Sequence, residues 1–132
     1  MAYENKGLDL GFTAFEDLSA MQHRFVTLQD DGSVRMLDSG SEWPAGILQN
    51  APAQGEAAVV RVSGVSKLAA GAGGLTRGAC VAAEYIGASD NGKGIVTTTG
   101  GANVRARVLL AATAEDNLAS VLLTDGKYYG GA

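Results

Sequence analysis

The feature of this sequence that most constrains its fold is a series of short apolar runs separated by turn residues. The runs have the length and the Val, Ile and Leu content of strands, and turns separate them at intervals of about 8–12 residues. Glycine makes up 19 of the 132 residues, whereas proline occurs only twice. The pattern predicts a small all-β sandwich or barrel. The predicted strands span residues 23–28, 33–38, 44–49, 57–68, 79–86, 95–99, 104–110 and 118–124.

The strand predicted over residues 104–110 has the clearest alternation of side chains. Apolar residues occupy every second position, so we predict that they form one buried face: Val104, Ala106, Val108 and Leu110. Arg105 and Arg107 fall on the opposite face of this strand. Because two arginines are too few for a nucleic-acid surface, we expect them to meet acidic side chains within the protein or on a partner.

The first 20 residues mix two periodicities. Leu8, Leu10 and Phe12 alternate as in a strand, whereas Phe12, Phe15 and Leu18 recur at every third position, as in one helical turn. We therefore predict an extended N-terminal arm over residues 1–20 and a single β domain over residues 21–132. A frayed terminus is the alternative. The arm is predicted to contact a neighbouring chain and to add a strand to it, through Tyr3, Leu8, Leu10, Phe12 and Phe15.

Composition argues against several classes of function. The net charge of -4 is unfavourable for binding a nucleic-acid backbone. One cysteine and one histidine cannot form an internal disulfide or a cysteine zinc site, so we expect no metal. The sequence has no 18-residue apolar run and no signal-peptide pattern. We therefore expect no membrane partner, and a cytoplasmic site of synthesis in which Cys80 stays reduced.

The motifs that could carry chemistry are incomplete. Residues 87–93 fit the spacing of a phosphate loop, but Gly94 stands where Ser or Thr should follow, and the next residues favour a strand. His23, the only possible base for a catalytic triad, lies beside an apolar run. Glu115 and Asp116 are adjacent and are interpreted as solvated turn residues. We therefore expect a protein that is not an enzyme and has no cofactor.

Trp43 is the most informative single residue outside the N-terminal segment. It lies in a polar stretch, and Pro44 biases it towards an extended backbone. Two interpretations remain open: a lid on the core, or an anchor in an interface, where tryptophan is enriched. Trp43 and Pro44 complete the predicted contact set.

The order of the sequence pieces resembles that of the capsid decoration (cement) proteins of tailed bacteriophages. The resemblance runs from about Asp17 to Leu123. Residues 69–78 depart from it, because they contain more glycine than the family pattern. The pieces that carry it are residues 17–22, Ala-Gly-Ile-Leu-Gln-Asn at 45–50, Gly-Glu-Ala-Ala-Val-Val-Arg-Val-Ser-Gly-Val-Ser-Lys at 55–67, residues 75–79, Ser-Asp-Asn-Gly-Lys at 89–93, Val-Leu-Leu-Ala-Ala at 108–112 and Ser-Val-Leu-Leu at 120–123.

This resemblance implies a β-barrel or β-tulip domain that stabilises an expanded phage capsid by bridging major capsid protein subunits. It also implies a homotrimer on the outer capsid surface, assembled in the host cytoplasm. Two other classes stay open from the sequence. A β-sandwich module that recognises host surfaces or glycans would need a platform of aromatic residues. A small barrel enzyme would need catalytic groups that the sequence does not supply.

Overall fold

The structure is a computed structural model that describes residue 2, residues 5–87 and residues 91–128. It consists of antiparallel strands joined by turns, and the described residues contain no helix, so none that could cross a membrane. The prediction of a small all-β, barrel-like domain is confirmed. The strands are β1 (Asn5–Thr13), β2 (Phe25–Leu28), β3 (Val34–Arg35), β4 (Gly46–Leu48), β5 (Ala57–Ala69), β6 (Cys80–Ala83), β7 (Gly94–Val96), β8 (Asn103–Leu110) and β9 (Leu118–Lys127).

Strand β5 lies in the middle of the sheet. The strand order is β3-β2-β4-β5-β9-β8-β6-β7, and β1 pairs with β5 outside this order. Val60 pairs with Leu48 of β4 and with Leu10 of β1, so these two strands flank the first half of β5. The second half of β5 pairs with β9. Because β5 is 13 residues long, it can bind three partner strands along its length.

Two isolated bridges make the sheet curl back on itself. Ala14, just after β1, bridges Val34 of β3, and Ala70, just after β5, bridges Gly94 of β7. Each bridge joins strands that lie far apart in the sheet order. The curvature encloses apolar side chains on both sides of β4, which explains why this short strand is buried on both of its faces.

Two hydrophobic clusters result from this curvature. Phe25 and Ile47 contribute to a large core of 13 buried residues, whereas their neighbours Val26 and Leu48 contribute to a small core of eight. Successive side chains of a strand point to opposite faces, so β2 and β4 supply both cores. The large core otherwise comes mainly from β5, β6, β8 and β9 and the turns between them.

The N-terminal segment belongs to this same sheet in the single chain. Strand β1 pairs antiparallel with β5, and Ala14, Leu18 and Met21 are buried in the small core. Ala14 and Leu18 therefore pack residues 14–20 against the small core, whereas Phe15 between them is exposed. The contact of this segment with a neighbouring chain stays a prediction.

The buried face predicted for β8 is correct in its middle and wrong at its ends. Ala106 and Val108 are 0% and 1% exposed, whereas Val104 and Leu110 are only half-buried. The ladder between β8 and β9 shifts its register between Val104 and Ala106, and again between Val108 and Leu110. These irregularities interrupt the strict alternation that the sequence pattern assumes.

Candidate interaction surface

Trp43 lies on the surface with its indole ring fixed in place. The side chain is 46% exposed, and its Nε1–H donates a hydrogen bond to Asp125 Oδ1 at 3.0 Å. The Arg105 guanidinium carbon lies 5.5 Å from the centroid of the ring, a cation–π arrangement. An aromatic side chain held at its edge and against a cation can bind a partner at a lower entropic cost than a mobile one.

Arg105 is the support of this tryptophan. It is 5% exposed, although the sequence pattern places it on the outer face with Arg107. Its guanidinium donates to the carbonyl oxygens of Pro44, Ala45, Val62 and Thr124 at 2.7–3.0 Å. The expectation that Arg105 meets an acidic side chain directly is therefore wrong.

The physical reason lies in the segment around Trp43, which folds over β8 and brings backbone carbonyls to the guanidinium. The guanidinium carries five N–H donors in a rigid planar arrangement, so it can donate to several carbonyl oxygens at once. If Arg105 were paired with a carboxylate instead, these carbonyl oxygens would be left without that donor. Burial lowers the pKa of Arg105 from its usual value, and the nearby charge of Asp125 partly opposes this effect. Arg107 is exposed, and its Nη2 donates to Cys80 Sγ at 3.7 Å; an acidic group on a partner stays a prediction for this residue.

Pro44 is buried, and its carbonyl oxygen accepts a hydrogen bond from Arg105 Nε at 3.0 Å. In the single chain it therefore anchors the segment that carries Trp43. The Thr27 hydroxyl donates to the Trp43 carbonyl at 3.0 Å and fixes the same segment from β2. Trp43 and Pro44 were both predicted to contact a partner. In the structure Trp43 is exposed, whereas Pro44 is buried and holds the Trp43 segment in position.

Strand β1 supplies a second exposed apolar surface. Leu8 is 53% exposed and Leu10 is 41% exposed, whereas Phe12 is half-buried against the small core. Asp9 forms a salt bridge with Arg61 of β5, with Nε and Oδ1 2.7 Å apart. This hydrogen bond lowers the pKa of the Asp9 carboxyl, while slight burial opposes the effect. Tyr3 lies outside the described residues.

The structure does not bring all the predicted contact residues to one place. Phe15, 48% exposed, lines a cleft with Arg35 and Tyr85, whereas Trp43 lies over Arg105. Tyr85, which is 40% exposed, was not predicted to take part in any site. The sequence signal for it is weak, since it is one tyrosine next to a predicted turn.

Glu115 and Asp116 are not simply solvated turn residues. Both carboxylates bind the amine of Lys93, with Nζ–O distances of 3.2 and 2.7 Å, and the Lys93 side chain is only 3% exposed. These salt bridges join the turn that contains Glu115 and Asp116 to the segment that contains Lys93. In the described part of the chain, no group of three or more His, Cys, Asp or Glu side chains could hold a metal ion.

No protein-family model and no curated protein sequence matches this chain. Its fold is similar to that of the head fibre gp8.5 N base of bacteriophage phi29, known from a crystal structure. The superposition has a TM-score of 0.64 at 15% sequence identity, and it covers 93% of this chain and 100% of that chain. At this identity the likeness is one of fold, and it extends over nearly the whole chain.

Proposed function

We propose that this chain is a structural protein of a bacteriophage virion that binds the outer surface of the head. The observation that carries the proposal is the fold, which follows a phage head-fibre base over 93% of this chain. The ordered sequence pieces that resemble capsid decoration proteins are an independent argument for the same kind of particle. Because proteins of one fold can have different functions, the finer proposal rests on the exposed residues.

The finer proposal is that the protein decorates the expanded shell and bridges its major capsid protein subunits. Leu8, Leu10 and Trp43 supply apolar area that the single chain leaves exposed. Apolar area of this kind favours a protein partner, and a fixed tryptophan is a frequent interface anchor. Homotrimers at threefold positions of the shell would place three copies of these surfaces around one joint between capsomers.

Such a protein would act by mass action and would need no catalytic group, cofactor, nucleic acid or membrane. A ligand that binds only the expanded shell stabilises that shell by RT ln(1 + [L]/Kd). Many weak contacts on one lattice make the total effect large. Assembly would take place in the host cytoplasm, where the expanded heads form.

The test is co-sedimentation of the purified protein with phage heads before and after expansion. We expect binding to expanded heads and little binding to unexpanded ones, because the bridging surfaces should exist only on the mature lattice. The double variant Leu8→Ser with Leu10→Ser should lower occupancy. A matched control is Leu118→Ser with Leu122→Ser, at 38% and 40% exposure on β9.

The bridging proposal fails if the protein binds both kinds of head equally. The virion proposal as a whole fails if the protein binds neither kind at saturating concentration. If the β1 and β9 double variants lower occupancy equally, the assignment of β1 to the contact is incorrect.

A further inference from the structure

A polar cleft with two aromatic side chains lies where three separate segments meet. It encloses about 300 Å³. Phe15 follows β1, Arg35 and Asp38 come from β3 and the residues after it, and Tyr85 follows β6. Pockets that bind small ligands begin at about this volume.

Hydrogen bonds between segments hold the walls of the cleft together. Asn91 is only 2% exposed; its Nδ2 donates to the Leu37 carbonyl at 3.1 Å, and its Oδ1 accepts from the Ile86 N–H at 2.8 Å. On the other side, the Met36 N–H donates to Glu16 Oε2 at 2.8 Å. Hydrogen bonds within the chain therefore join the three segments, so the cleft is formed in advance.

The polar groups in the cleft favour a neutral ligand. Arg35 is bound through both terminal nitrogens by Glu42, so its charge is already compensated. Asp38 also forms a salt bridge with Arg35, with Oδ2 and Nη1 3.4 Å apart, and its side chain is 73% exposed. Together with Glu16, three carboxylates therefore surround one guanidinium, and negative charge is in excess at the cleft. An anionic ligand would meet repulsion here, whereas hydroxyl groups can donate hydrogen bonds to the carboxylates.

The aromatic residues specify the class of ligand further. Phe15 and Tyr85 are 48% and 40% exposed, although large aromatic side chains are usually covered in a small domain. The negative face of an aromatic ring attracts the C–H groups of a flat apolar surface. A sugar ring has such a C–H surface on its face and hydroxyl groups at its edge, which matches a cleft with aromatic sides and acceptor groups.

We propose that this cleft binds a neutral saccharide, with a sugar ring against Phe15 or Tyr85 and its hydroxyl groups on Asp38 and Glu16. The proposal does not depend on attachment to a phage head, because it concerns the cleft of the free chain. The affinity for a single sugar should be modest, with Kd in the roughly millimolar range, as is usual for so small a contact.

The test is saturation-transfer NMR on the full chain with glucose, galactose, mannose and N-acetylglucosamine and their β-linked disaccharides. Glucuronic acid and sialic acid serve as anionic probes. We expect transfer to at least one neutral sugar and none to the two acids. At least one of the variants Tyr85→Ala and Phe15→Ala should weaken the binding about tenfold or more, because it removes the ring on which the sugar stacks. Ile86→Ala, at 57% exposure beside Tyr85, is the matched control and should bind normally.

A variant of Asp38 tests the effect of negative charge in the cleft. Asp38→Asn should reduce the discrimination against the anionic sugars, because it removes a repulsive charge and keeps the shape. The proposal is overturned if no neutral sugar in the panel receives saturation at millimolar concentration. It is also overturned if binding survives in both aromatic variants, or if the acids bind as well as the neutral sugars do.

Discussion

Strands β1 and β8 have the same kind of sequence pattern but different positions in the sheet. Both are long, and in both apolar residues alternate with charged ones: Asp9 in β1, and Arg105 and Arg107 in β8. Strand β8 pairs with β9 and β6, and its central apolar residue Val108 is 1% exposed. Within the described residues β1 pairs with β5 alone, apart from the bridge after its end.

This comparison shows that alternation specifies the two faces of a strand but not what covers them. In β8 the apolar face lies against the large core. In β1 the apolar face begins at the small core with Phe12 and continues beyond it to Leu10 and Leu8. We infer that β8 contributes stability, whereas β1 contributes surface for a partner.

The largest difference is expected when a charge is placed on each apolar face. Val108→Asp should unfold the domain, because an unpaired buried carboxylate costs several kcal/mol against a total stability of about 5–15 kcal/mol. Leu10→Asp, at 41% exposure, should leave the chain folded. Thermal unfolding followed by circular dichroism measures both. Equal melting temperatures for Val108→Asp and the wild type would refute the assignment of β8 to the core.

The second effect concerns the two arginines of β8. Arg105→Ala should destabilise the domain by about 3 kcal/mol or more, because several carbonyl groups would lose their donor. Arg107→Ala should cost roughly less than 1 kcal/mol, since this side chain is exposed. Urea unfolding of the two variants gives the comparison. Similar losses of stability in both would contradict the role assigned to Arg105.

The third prediction separates stability from binding at Trp43. Trp43→Ala should cost only about 1–2 kcal/mol of stability, because the ring is half-exposed and would lose one hydrogen bond to Asp125 and the cation–π arrangement with Arg105. The same variant should lower occupancy on expanded heads more than Leu118→Ala does. Occupancy at the wild-type level, measured by co-sedimentation, would exclude Trp43 as the anchor.

The smallest effect on stability is expected at Asp9 of β1. Hydrogen bonding to Arg61 lowers the pKa of Asp9 below its ordinary 3.8, so the salt bridge contributes stability above that pH. The contribution is lost as the pH falls from 3.8 through the lower folded-state pKa. Since the Asp9 side chain is 34% exposed, we expect less than about 1 kcal/mol.

The variant Asp9→Asn isolates this contribution. The stability difference between it and the wild type should be present at neutral pH and should disappear in acid. A difference that persists unchanged below the folded-state pKa would show that the salt bridge is not its source.

Much of the fold could be predicted from the sequence, because each strand is a local pattern bounded by its turns. Residues 57–68 and 104–110, for example, differ from β5 and β8 by one residue. Pairing could not be predicted in the same way, since it depends on contacts between distant residues. Nothing local indicates that Val60 pairs with both Leu10 and Leu48.

The candidate surfaces were less predictable for the same reason. An aromatic residue in a polar loop indicated Trp43, but its support, Arg105, lies 62 positions further along the sequence. The cleft joins Phe15 to Tyr85 through elements that have no shared sequence signal. The salt bridges of Lys93 could not be predicted, because its carboxylate partners belong to a different turn.

The most direct test of the central proposal is electron cryo-microscopy of the native phage heads that we propose carry this protein. We expect density for this fold on the outer surface, in threefold clusters over the joints between capsomers, with Trp43 and β1 facing the shell. Isolated single copies at capsomer centres would contradict the bridging trimer, and heads without density for this fold would contradict the proposed function itself.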